Sequence, residues 1–157
     1  PQVLLLDEPT FGVDPISRRD LWLILHEMVA EGVTVVVSTS YLDEAERCDR
    51  VVFLREGRVL AMDTPSRLLQ RLPGELVRLS GPDPRRLREV AGALPGVLGV
   101  ALFGNSVHLL LDDGEEVRGR VGAALAGAGV APDGMEVADP SLEDVFLHLV
   151  REEEARA

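Results

Sequence analysis

The sequence contains one cysteine, Cys48, so no internal disulfide can form. Its three histidines, His26, His108 and His148, are too scattered for a zinc spacing. Positive charge is scarce, with Lys+Arg 16 against Asp+Glu 27 and a formal net charge of -11. A surface that negative repels phosphate backbones, which argues against nucleic acid as a primary partner. It leaves room for a nucleotide whose phosphates are held locally by Mg²⁺ and a few donors. No apolar run approaches the ~18 residues of a membrane span and no signal peptide opens the chain, which predicts a cytoplasmic protein.

What is present fits a globular protein. The 157 residues are 46% hydrophobic and 27% charged, with Gly 15 and Pro 10, a composition unlike disordered or collagenous chains. That length suits one domain or two small ones. Pro1-Gln2-Val3-Leu4-Leu5-Leu6 opens directly as an apolar strand with no lead-in, so an upstream half is expected.

Residues 3–6 are a continuous apolar run of the kind buried on both faces of a parallel sheet. Asp14-Pro15 reads as a helix start, Asp14 capping, and Leu21, Trp22, Leu25, Met28 and Val29 follow at helical spacing until Gly32. Residues 33–37 form a β-branched strand, residues 42–47 a short helix, residues 50–54 a third strand, Glu56-Gly57-Arg58 a turn and residues 59–61 a further strand. This alternation predicts an open, mostly parallel α/β sheet over residues 1–72.

After residue 73 the pattern changes. A strand at residues 75–79 precedes a helix bearing Leu87, Val90, Ala91 and Leu94. A hairpin of residues 97–103 and 107–111 leads to a helix with Val117, Val121, Ala124 and Leu125, then a strand at residues 135–137. The order β-α-β-β-α-β predicts a small α+β, ferredoxin-like domain over residues 73–157. A final helix carries Leu142, Val145, Phe146, Leu149 and Val150, introduced by the capping-box spacing of Ser141 and Asp144. Trp22 is expected in the core or at an interface, Cys48 as a small buried residue, Arg85-Arg86-Leu87-Arg88 as a solvated helix face, and Arg151 to Ala157 as a frayed tail.

The chemistry concentrates where Leu4-Leu5-Leu6 runs into Asp7-Glu8-Pro9. The carboxyl end of a buried strand is where open α/β sheets bind ligands. There Asp7 could hold Mg²⁺ through water and Glu8 could polarise an attacking water. A strand simply ending in polar residues would look the same.

The residues that follow are more specific. Leu4-Leu5-Leu6-Asp7-Glu8-Pro9-Thr10 with Gly12-Val13-Asp14-Pro15 resembles the Walker B motif and D-loop of ABC transporter ATPases, which have a P-loop NTPase-type fold. Ser38-Thr39-Ser40-Tyr41-Leu42-Asp43-Glu44-Ala45-Glu46 resembles their switch-histidine segment. Cys48-Asp49-Arg50-Val51 and Gly57-Arg58-Val59 resemble the strand pair that closes the ATPase fold. Residues 73–157, ending in Pro140-Ser141-Leu142-Glu143-Asp144-Val145-Phe146, resemble the accessory domain of the drug-exporter branch.

The resemblance implies ATP and Mg²⁺ as cofactors, with Asp7 coordinating the metal, Glu8 as general base and Asp14 as the D-loop residue coupling two ATP sites across a dimer. It implies a second ATPase domain and a membrane permease as partners, and a peripheral place at the inner face of the cell membrane. Ser40 stands where the family usually has histidine. A serine hydroxyl is shorter and uncharged and cannot stabilise a γ-phosphate as imidazole can, so the site is expected to be slow or degenerate. Ser40 to Asp43 also has capping-box spacing, so Ser40 could cap the short helix.

No G-x-x-x-x-G-K-[ST] loop and no LSGGQ-type signature occurs, so the chain alone is expected to be inactive. Two other readings stand: a non-catalytic regulatory or dimerisation module carrying a decayed ATPase remnant, and an ABC-type ATPase with no permease. The lack of a basic stripe disfavours the latter.

Overall fold

A computed structural model describes residues 2–156, which form two compact units that meet in sequence between Arg47 and Cys48. The first contains β1 (Val3–Asp7), α1 (Pro15–Ala30), β2 (Thr34–Ser38) and α2 (Leu42–Ala45). β1 and β2 pair in parallel, from Val3 opposite Thr34 to Asp7 opposite Ser38. α1 starts where the sequence places it: Asp14 Oδ1 accepts hydrogen bonds from the Ile16 and Ser17 amides at 3.0 and 3.1 Å, and Pro15 needs no donor there. Those hydrogen bonds from Ser17 and Ile16 hold the Asp14 carboxyl below its ordinary range. Gly32, at φ +91°, turns the chain out of the helix into β2. Trp22 and Leu25 are buried, as expected of the inner face of α1.

The expectation of two buried sheet faces is not met in this unit. Leu5 is 73% exposed, and Val3 and Val36 are exposed beside it, because only alternate residues of a two-stranded pair are covered here.

The second unit opens with β3 (Val51–Arg55) and β4 (Arg58–Asp63). They pair antiparallel through a two-residue turn in which both Glu56 and Gly57 have positive φ. The third strand therefore joins a hairpin, and parallel pairing among the described residues is confined to β1 and β2. After β4 comes α3 (Pro65–Leu69), started by Thr64 and anchored by the buried Leu68.

A four-stranded antiparallel sheet follows, in the order β6-β7-β5-β8: β5 (Glu75–Ser80), β6 (Val97–Phe103), β7 (Ser106–Leu111) and β8 (Gly134–Val137). The helices α4 (Pro84–Gly92) and α5 (Gly114–Gly127) connect strands that are not neighbours. Alternation along β5 and β7 puts Val77, Leu79, Val107, Leu109 and Leu111 in one core with Leu87, Ala91, Val117, Val121 and Leu125 of those helices. Arg85, Arg86 and Arg88 stay solvated on the outer side of α4.

The opposite register of β7 carries His108, whose Nδ1 lies 2.9 Å from Asp144 Oδ1 on α6 (Leu142–Arg156). The capping box at the start of α6 forms: the Ser141 amide and hydroxyl donate to Asp144 Oδ2, at 2.9 and 2.7 Å. Burial alone would raise the Asp144 carboxyl, but the bonds from His108 and Ser141 outweigh it and hold the group below its ordinary range.

The expected frayed tail is instead helix as far as Arg156. Arg55 of β3 pairs with Glu153 and Glu154, Phe53 meets the edge of Phe146 at 5.4 Å, and Arg151 donates to the Val100 carbonyl. Cys48 is half-buried rather than buried. Among the described residues no helix is long and apolar enough to cross a membrane.

Two outcomes follow from this packing. Leu79→Ala removes a fully buried side chain from the centre of the sheet core. It should destabilise the protein by about 2–5 kcal/mol, read as a lower urea midpoint at unchanged slope. The Asp14 cap predicts a pH dependence of known sign. A carboxylate held low when folded contributes stability that is complete above about pH 4 and is lost as pH falls through the folded value. Melting curves of the wild type and Asp14→Asn between pH 3 and 7 should therefore converge on acidification.

Candidate active site

The parallel register decides what meets what. Asp7 ends β1 and its partner Ser38 ends β2, so both side chains lie at the carboxyl end of the pair. The Ser38 hydroxyl donates to Asp7 Oδ1. The same Oγ accepts from the Glu8 amide at 2.9 Å, and that amide also reaches the Ser38 carbonyl at 3.1 Å. Ser38 thus fixes one carboxylate directly and the next through its backbone.

Glu8 has φ +44°, in the left-handed region. For a residue with a side chain this costs on the order of 1–3 kcal/mol and persists only where neighbours impose it. Here the bonds to Ser38 impose it, and the outcome is a side chain aimed across to the segment after β2. Glu8 Oε2 accepts from the Ser40 amide at 3.1 Å and from the Ser40 hydroxyl at 3.3 Å.

That contact corrects the capping expectation. The residue before α2 is Tyr41, which makes no side-chain cap bond, so Ser40 does not cap the helix. Its hydroxyl and amide are both committed to Glu8.

Behind the surface lies a buried carboxylate, Glu44, 1% exposed. Its Oε2 accepts from the hydroxyls of Thr10 and Thr39, each at 2.8 Å. Its Oε1 lies 3.5 Å from Arg18 Nε, and the Arg18 guanidinium sits over the Tyr41 ring at 4.4 Å. Thr10 is fully buried.

The structure therefore brings Asp7, Glu8 and Ser40 together, while Asp14 stands apart, its side chain spent on capping α1. Sequence reasoning passed over Ser38, Thr10, Thr39 and Glu44 as individual residues. The usable signal was a hydroxyl at the last position of each polar strand exit, and a carboxylate set beside Ala45 in a helix too short to show a face.

The donor set suits a hard cation: two carboxylates and a hydroxyl, all oxygen. Among the described residues no three His, Cys, Asp or Glu side chains are placed to cage a metal. A magnesium ion bound through one or two carboxylates, with water and phosphate completing its shell, needs no such cage. Asp7 fits that demand, and Glu8 beside it, bonded to Ser40, is left for an attacking water.

No family model matches the chain. Among curated proteins, it is 46% identical over 113 residues to the probable multidrug ABC transporter ATP-binding protein YbhF of Escherichia coli, covering 71% of this chain and 20% of that protein. It is 36% identical over 155 residues to the Nod factor export ATP-binding protein I of Rhizobium etli, covering 98% of this chain and 46% of that one. It is 34% identical to the daunorubicin resistance ATP-binding protein DrrA2 of Streptomyces coeruleorubidus, over 95% of this chain and 48% of that one. A solved structure, cbiO1 of Clostridium perfringens, aligns with a TM-score of 0.42 at 32% identity, over 60% of this chain and 34% of that one.

The chain thus spans about half the length of the Nod factor and daunorubicin relatives, and a fifth of the multidrug one. Similarity along nearly all of its own residues places it, by homology, in the family of ABC transporter ATP-binding proteins.

Proposed function

We propose that this chain supplies the Walker B, D-loop and switch segments of an ABC transporter ATP-binding subunit that couples ATP hydrolysis to export through a membrane permease. The observation that carries the reading is the cluster at the carboxyl ends of β1 and β2, where Asp7 and Glu8 lie side by side and Ser40 bonds to Glu8. Homology to proteins named for multidrug and Nod factor export supports the transport role.

The two carboxylates divide the work. Asp7 would hold Mg²⁺ through water, with Ser38 fixing its orientation. Bound MgATP supplies the phosphorus to be attacked and neutralises charge on its oxygens. Glu8 orients the attacking water and accepts its proton on a carboxylate oxygen. Ser40 steadies that carboxylate but brings no imidazole to the γ-phosphate, which leaves this site slow; the second ATPase domain is a homodimer copy with the same deficit or a tandem half that takes more of the hydrolysis. Asp14, by capping α1, sets the path of the D-loop toward that second domain.

Residues 1–72 form the ATPase part and residues 73–157 an accessory ferredoxin-like domain. The strand order β6-β7-β5-β8, with two crossovers each split by one strand, supports the second assignment. The working place is the cytoplasm, peripheral at the inner face of the cell membrane.

All 16 cations of the chain are arginines, so no lysine reaches a nucleotide's β- and γ-phosphates. The purified chain should neither bind nor turn over MgATP, and turnover abolished by Glu8→Gln would contradict this. In the whole encoded protein, Glu8→Gln should lower kcat by about 10²–10⁴-fold with ATP still bound. Unchanged turnover in that variant would remove Glu8 from the chemistry. Ser40→His should raise turnover of the same protein.

A further inference from the structure

We propose that Glu44 is the positioning residue of this site, clamping the turn after β1 to the segment after β2 so that Glu8 and Ser40 meet. The role in turnover rests on the ATPase reading above; the clamp itself rests on geometry alone. Glu44 belongs to a four-residue helix with no catalytic group of its own, yet it is a carboxylate 1% exposed. Burying a charge costs several kcal/mol unless it is paired and hydrogen-bonded, so the position demands partners. Those partners come from three different segments. Thr10 lies two residues past Glu8, Thr39 immediately precedes Ser40, and Arg18 belongs to the first turns of α1 behind the Asp14 cap.

The two threonine hydroxyls converge on one oxygen, Oε2, at 2.8 Å each. A single acceptor thereby fixes the spacing between the residues that flank Glu8 and Ser40. The other oxygen faces Arg18, whose guanidinium is in turn seated on Tyr41, the residue after Ser40. Thr39 Oγ1 also accepts from the Tyr41 amide at 3.1 Å, so the switch segment is held on both sides of Ser40. No group in this set touches the reacting atoms. Its effect reaches them through the strained Glu8 backbone and the 3.1 Å bond from the Ser40 amide.

The test reads geometry and turnover separately. In this chain, the proton shift of the Ser40 amide reports its bond to Glu8, and Glu8→Gln marks the value when the carboxylate is neutral. Glu44→Ala and Thr39→Val should both move that amide toward the Glu8→Gln value while amides of the β1–β2 ladder stay in place. Thr39→Val keeps Glu44 and the fold, so the proposal stays testable if Glu44→Ala fails to fold. In the whole encoded protein, Glu44→Ala should lower kcat about 10- to 100-fold and Thr39→Val roughly two- to tenfold, with KM for MgATP nearly unchanged.

An unmoved Ser40 amide in Thr39→Val overturns the clamp. So does a moved KM with kcat intact. Loss of turnover in Glu8→Gln alone, with both clamp variants fully active, sinks the positioning role but keeps the ATPase reading. A shifted Ser40 amide combined with unchanged turnover in Glu8→Gln does the reverse: the clamp stands and the reading of Glu8 as base falls.

Discussion

The pairing of Asp7 with Ser38 is the constraint on which the site depends. Because β1 and β2 run parallel and in register, their last residues end at the same level, and one hydroxyl can serve both the side chain of Asp7 and the backbone of Glu8. A slip of one residue would turn the Asp7 side chain to the other face and leave Ser38 without either partner. The positive φ of Glu8 follows from the same contact, since the chain must turn sharply for its amide to reach Ser38 while its carboxylate reaches Ser40. Backbone strain, a strand-end carboxylate pair and the Ser40 contact are thus one arrangement.

Much of this was legible, and for definite reasons. Leu4-Leu5-Leu6 running into Asp7-Glu8 announces a strand end with chemistry on it, and Asp14-Pro15 announces a capped helix, because both are local signals. The crossed order of the second sheet also follows from the succession of its elements. The cap expected of Ser40 does not form: capping-box spacing favoured the helix, but the Glu8 carboxylate, thirty-two residues away, takes both of its donors. Glu44 was invisible for a related reason. A buried charge is made tolerable by Thr10, Thr39 and Arg18, and that compensation exists only once three separate segments have met.

The tail illustrates the same limit. Its run of glutamates and arginines has the composition of a frayed end, yet α6 persists to Arg156, with Arg55 paired to Glu153 and Glu154. The exposed outer face of β1 and β2 goes the other way: a strand apolar enough for two covered faces has one bare, with Leu5 and Val36 on it. In both cases the outcome depends on neighbours distant in sequence, which hydrophobic pattern alone does not encode.

The division of labour between adjacent carboxylates is the centre of this account, and the magnesium dependence of turnover tests it most directly. In the whole encoded protein, Asp7→Asn should raise the Mg²⁺ concentration needed for half-maximal turnover, whereas Glu8→Gln should depress the maximal rate without moving that concentration. Equal Mg²⁺ dependence in wild type and Asp7→Asn, or a shift produced by Glu8→Gln instead, would contradict the assignment.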